Sequence, residues 1–143
     1  MKKLFLFIAF ILLINIGVFS QNQRYYDIRN FIVNLGYTVD ENTNVWHQDL
    51  TEKNWFYNYK TYYYGKSYIL VAFSQDEDVT DIDLWLCDLD GVSTFKKDTD
   101  IENIAILYFN PAETYYNMKT IVQNYKSNYP SYSSTCWLII GYK

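Results

Sequence analysis

Ten of the sixteen acidic residues fall between Asp76 and Glu102, in "DEDVTDIDLWLCDLDG" and the segment after it. Carboxylates at this density offer two kinds of chemistry, calcium ligation and acid/base catalysis. An EF-hand loop needs oxygen ligands at positions 1, 3 and 5, Gly at 6 and Glu at 12. With Gly91 as that glycine, Asp88 and Asp90 fill positions 3 and 5, but Leu86 falls at position 1 and Lys97 at position 12. The loop therefore fails where charge is needed. A looser calcium site from Asp76, Asp78, Asp81 and Asp98 stays open as the alternative to solvated acids that brace turns and keep strand edges unpaired. The default expectation is no cofactor.

Acid/base catalysis requires two carboxylates held in a cleft with separated pKa values, and abundant Asp does not by itself identify a cleft. The nucleophile and metalloprotease motifs G-x-S-x-G and H-E-x-x-H are lacking. The lone His47 has no Cys or His neighbour to share a metal and reads as a surface imidazole. The expected protein is not an enzyme. A small secreted hydrolase drawing on the Asp cluster between Asp76 and Asp100 is the alternative.

The remaining candidates are aromatic. "WFYNYKTYYY" alternates, with Trp55, Tyr57, Tyr59 and Tyr63 on one face and Phe56, Asn58, Lys60, Tyr62 and Tyr64 on the other. Flat amphipathic rings on one strand face suit a polymer or protein contact, so Trp55, Tyr57, Tyr59 and Tyr63 are the ligand-binding candidates. Core or cross-strand pairing is the competing use of such rings.

These side chains need a scaffold, and the 143 residues contain sixteen tyrosines but two prolines, a profile that favours strands. Lys2 and Lys3, the apolar run Leu4 to Ile14 and the small Ser20 before Gln21 have the layout of a signal peptide, residues 1–20. Its removal predicts an exported chain, periplasmic or extracellular, without a transmembrane segment. Loss of Lys2 and Lys3 takes the formal charge from −4 to −6, a balance that argues against nucleic-acid partners. The rest, residues 21–143, is expected to form one domain.

Tyr25, Ile28, Phe31, Ile32 and Leu35 recur at helical spacing before Gly36, which predicts a helix over 24–36 with these residues as its apolar stripe. Residues 38–53 read as a loop with a short strand at Val45 and Trp46. Strands are expected over 55–64 and 68–73, the second apolar throughout and hence covered on both faces. Another runs over 81–88, with Ile82, Leu84 and Leu86 on one side, Asp81, Asp83, Trp85 and Cys87 on the other, and the Trp85 and Cys87 end covered. Asp88 to Gly91 is then a turn. Further strands are placed at 104–109, 115–122 and 136–142, with a loop over 124–135. The class is mainly β, an antiparallel β-sandwich of the jelly-roll or PPC-like kind. Cys87 and Cys136 are candidates for a disulfide, because an exported chain meets an oxidising compartment; two buried free thiols are the alternative.

The segment "TYYYGKSYILVAFSQDEDVTDIDLWLCDLDG" with "KKDTDIENIAILYFNPAETYYNMKTIV" resembles the secreted bacterial pre-peptidase C-terminal (PPC-like) β-sandwich. The matching positions are Gly65, Tyr68, Asp81, Asp83, Leu84, Asp88, Gly91, Asp98, Phe109, Pro111 and Tyr116. A glycine usual before the Tyr-led strand is replaced by Ala112-Glu113-Thr114. The resemblance implies a free-standing accessory or binding domain, contacting an extracellular polymer or an envelope protein, and carries over no catalytic residue.

Overall fold

A computed structural model describes residues 23–143. The expected signal peptide, residues 1–20, lies outside the described residues. Eight strands follow a helix α1 at 23–34: β1 (Val45–Leu50), β2 (Trp55–Tyr62), β3 (Tyr68–Ser74), β4 (Val79–Cys87), β5 (Thr94–Asp98), β6 (Ile104–Phe109), β7 (Tyr115–Ser127) and β8 (Ser134–Tyr142). They form two four-stranded antiparallel sheets, sheet A in the order β1-β8-β3-β6 and sheet B in the order β2-β7-β4-β5. The antiparallel sandwich is thus as expected.

The core between the sheets takes alternate residues from the inner strands and β2: Phe56 and Tyr62 from β2, Leu70 and Ala72 from β3, Ile82, Leu84 and Leu86 from β4, Met118 and Val122 from β7, Leu138 and Ile140 from β8. A second cluster lies on the outer side of sheet A, where Tyr25, Ile28 and Ile32 of α1 cover Ile69, Val71, Phe73 and Ile139. These two clusters explain why β3 is apolar from Tyr68 to Phe73: even-numbered residues face sheet B and odd-numbered ones face the helix, and all six are buried. Water reaches neither face of that run, and the first polar aliphatic position is Ser74 at the strand's end, whose hydroxyl accepts from the Asp76 amide.

The helix seats a narrower stripe than its spacing suggested, because Phe31 and Leu35 are more than two-fifths exposed. At about 100° per residue Phe31 sits at the border of the stripe set by Tyr25, Ile28 and Ile32, and Leu35 lies in the turn beyond the last helical residue. The helix approaches sheet A over Gly141, where a Cβ would stand 2.7 Å from Ile32 Cγ2 and 2.9 Å from Ile69 Cγ2.

Sheet edges depart from the sequence reading in three places. β1 continues through His47, Gln48 and Asp49 to Leu50, since each residue pairs with β8 although the side chains are polar. β5, Thr94–Asp98, is a short exposed edge strand of a kind that polar composition conceals. β7 runs on to Ser127, through the segment expected to be a loop, because Asn124 and Ser127 turn inward and Asn124 Nδ2 donates to the Leu50 carbonyl.

The disulfide expectation is corrected. Cys87 and Cys136 are both free and buried. Cys136 pairs with Ser74 at the end of β3, next to the turn that leads into β4, and packs in the core between the sheets. Cys87 closes β4, eight residues beyond that strand's start, with its Sγ beside Thr94 Oγ1 at 3.7 Å. At about 3.3 Å per residue the length of β4 separates the two positions by roughly 26 Å, far more than the ~7 Å a bridge tolerates.

Candidate functional site

The outward side chains of sheet B form three rows across its strands. Trp55 on β2, Gln123 on β7 and Asp83 on β4 make the first; Tyr57, Ile121, Trp85 and Lys97 of β5 make the second; Tyr59, Lys119, Cys87 and Thr94 make the third. Trp55, Tyr57 and Tyr59 are 57 %, 53 % and 45 % exposed, so these outward rings are not core. The rings still contact one another, Tyr57 and Tyr59 edge to face at 5.5 Å, and Lys119 Nζ lies 4.4 Å from the Tyr57 ring centre. That cation–π contact orders the middle of the face.

Across these rows lies an open depression of about 440 Å³, lined by Trp55, Trp85, Ile121, Gln123, Cys87, Gly91 and Thr94. With two strand spacings of ~4.8 Å and a two-residue offset along the strand, the Trp55 and Trp85 Cα atoms are about 12 Å apart. Trp85 was expected to be covered; it is half-buried and forms one wall of the depression. Tyr63 does not belong to this face. It follows the end of β2 and lines a separate hollow with Lys60, Lys66, Tyr68 and Tyr142.

The acids serve mainly as braces. Asp88 Oδ1 accepts from the Val92 and Ser93 amides, and Asp90 Oδ1 accepts from Val92, closing the turn that sets Gly91 (φ +75°) at the rim of the depression. Asp76 Oδ2 accepts from the Thr135 amide and Asp78 Oδ1 from the Ser134 hydroxyl, tying the β3–β4 turn to β8. Asp98 Oδ2 accepts from the Ile106 amide at 2.7 Å, joining the edges of the two sheets. Of the metal candidates, Asp76 and Asp78 are thus engaged with β8 and Asp98 with β6, while Asp81 makes no such tie. Among the described residues no group of three or more His, Cys, Asp or Glu side chains is placed to share a metal ion.

Asp81 and Asp83 behave differently, being 3 % and 4 % exposed. Burial, and then repulsion from Asp81 and Asp98, pushes the Asp83 carboxyl up to about 6, with Lys53 opposing. Burial also raises Asp81, one of whose oxygens has no hydrogen-bond partner. The alternation Asp81, Asp83, Trp85 signalled that these acids share a face with Trp85, but their burial depends on neighbours that the local sequence does not reveal. His47 sits on the other sheet, exposed, its ring 4.4 Å from that of Trp137.

No family model and no curated protein matches the chain. Among solved structures, PliG of Aeromonas hydrophila, a periplasmic lysozyme inhibitor of g-type lysozyme, is similar at 5 % identity and a TM-score of 0.45, over 74 % of this chain and 92 % of that one. AlgX of Pseudomonas aeruginosa is similar at 11 % identity and a TM-score of 0.40, over 70 % of this chain and 25 % of AlgX.

Proposed function

We propose that the protein is an exported, non-enzymatic binding module that holds an extracellular polymer, most simply a glycan chain, against the outer face of sheet B. One observation carries this reading: Trp55, Tyr57 and Tyr59 are exposed side by side, next to Trp85 at an open depression. Single exposed aromatics are ordinary, but a contiguous group of them marks a contact surface. Indole and phenol rings present a flat apolar face and a polar tip, a combination that matches the C–H faces and hydroxyl rims of sugar rings. Gln123 in its lining adds an amide oxygen and the one Nε2 proton not given to the Lys53 carbonyl. An open trough admits a chain lying across it, which a closed pocket would not.

Export rests on the signal-peptide pattern of residues 1–20, and the accessory role is carried over from the resemblance to PPC-like domains. Among the described residues no helix is long and apolar enough to cross a membrane. Affinity electrophoresis through gels containing neutral extracellular polysaccharides tests the reading: at least one polymer should retard the protein, and a Trp55→Ala/Trp85→Ala variant should migrate freely. Retardation that the variant keeps would remove the face from consideration. Loss of capture of an envelope protein, without retardation by any glycan, would assign the same face to a protein partner.

A second reading, a small hydrolase, has one observation in its favour, the raised Asp83 carboxyl beside Asp81 and Asp98. Asp83→Asn separates the two: it abolishes turnover in a hydrolase and leaves retention intact in a binding module.

A further inference from the structure

At the end of β2 remote from Trp55 a small hollow of about 170 Å³ collects Lys60, Thr61, Lys66 and Tyr68, with Asp40 and Asn44 among its other walls. Its free hydrogen-bonding capacity consists largely of donors. Lys60 Nζ spends one of its three N–H groups on Asn44 Oδ1, at 2.6 Å. Lys66 Nζ lies 4.6 Å from the Tyr142 ring centre, a contact that uses its charge but none of its N–H groups as conventional hydrogen bonds. The Tyr68 hydroxyl oxygen accepts from the Tyr63 amide and the Thr61 hydroxyl from the Asn117 amide, so both O–H groups keep their protons for another acceptor.

The acceptors present are largely engaged. Asp40 Oδ1 takes the Asn42 amide and Oδ2 the Thr43 hydroxyl, while Asn44 Oδ1 takes Lys60. Among the described residues the one ion pair within 4 Å joins Arg29 to Glu41, so neither lysine of the hollow is neutralised by a paired carboxylate. Two ammonium groups, two hydroxyls and one already engaged carboxylate leave the hollow with net positive character.

We propose that this hollow binds a small oxyanion, the carboxylate, sulfate or phosphate group of a ligand, gripped by Lys60 and Lys66 and oriented by the Thr61 and Tyr68 hydroxyls. Charge-assisted hydrogen bonds to a lysine pair are strong and point-like, and a hollow of this size takes a single anionic group. Burial lowers the Lys60 ammonium below its ordinary value, and the repulsion from Lys66 adds to this by less than Asp40 takes back. A bound anion relieves both costs. The site stands independently of the glycan face, on different residues of a different part of the sandwich.

The test is titration of the folded protein with sodium phosphate, sodium sulfate and sodium glucuronate, each against sodium chloride at matched ionic strength, followed by the backbone amide resonances of Thr61, Tyr63 and Lys66. The expected result is saturable shifts at these amides with at least one oxyanion and none with chloride; the anion that saturates first names the group recognised. Lys60→Met should weaken binding about tenfold, the worth of a charge-assisted hydrogen bond. Because Lys60 also holds Asn44, exposed Lys66→Gln is the second variant, which leaves the fold intact and should show a comparable loss. Shifts that chloride reproduces, or an affinity unchanged in Lys66→Gln, would overturn the proposal.

Discussion

Asp83 and Gln123 stand opposite each other on β4 and β7, so a buried carboxylate borders the aromatic face. The Asp83 carboxyl is pushed up to about 6 by burial and by Asp81 and Asp98, whereas in the unfolded chain it reverts to about 3.9. A group whose folded value is raised holds its proton more tightly in the fold, so its contribution is complete below about pH 4 and is lost as pH rises through about 6. Solvent screening reduces the effect to on the order of 1 kcal/mol. Urea denaturation should therefore find Asp83→Asn more stable than the parent by about that amount near pH 7.5, where the parent carries the buried charge, and equal to it near pH 4. A variant less stable at both pH values would mean that the carboxylate makes a favourable contact.

Gly141 meets α1 so closely that a methyl group there would collide with Ile32, Ile69 and Tyr37. Gly141→Ala should cost about 1–3 kcal/mol, the range for overpacking a filled site, and should loosen α1 before the sandwich. Amide hydrogen exchange checks this: residues 23–34 should lose protection while β4 and β7 keep theirs. Uniform loss across both sheets would show that the helix is not a separable cover.

The two thiols should stay reduced even in an oxidising compartment. Burial pushes the Cys136 thiol up to about 12, which removes its thiolate at neutral pH, and Cys87 lies at the far end of β4. Alkylation of the unfolded, unreduced protein followed by mass measurement should find two modified cysteines. A mass without either modification would require a pairing that this arrangement of strands forbids.

How far the sequence foretold the structure follows from where each signal arises. The unbroken run Tyr68 to Phe73 announced a strand covered on both sides, and the alternation of Ile82, Leu84 and Leu86 gave the inward face of β4 correctly, because burial acts on those positions directly. The outward placement of Trp55, Tyr57 and Tyr59 also followed from alternation, but whether that face met solvent depended on which layer lay above it. Trp85 escaped notice as part of the face because its partner across Ile121 is Tyr57, distant in the chain. β5 and the polar half of β1 were hidden because backbone pairing holds them and their side chains are hydrophilic. The cysteine pairing failed for the same reason: strand membership was visible, strand position was not.

The most direct measurement of the glycan-binding face uses the indole N–H resonances of the four tryptophans. Trp55 and Trp85 face the depression on sheet B, while Trp46 and Trp137 belong to sheet A and act as internal controls. Titration with soluble oligomers of a polysaccharide that retards the protein should move the Trp55 and Trp85 signals together, with one dissociation constant, and leave those of Trp46 and Trp137 in place. Oligomer-dependent shifts at Trp46 or Trp137 with Trp55 and Trp85 unmoved would contradict the assignment of the outer face of sheet B as the binding surface.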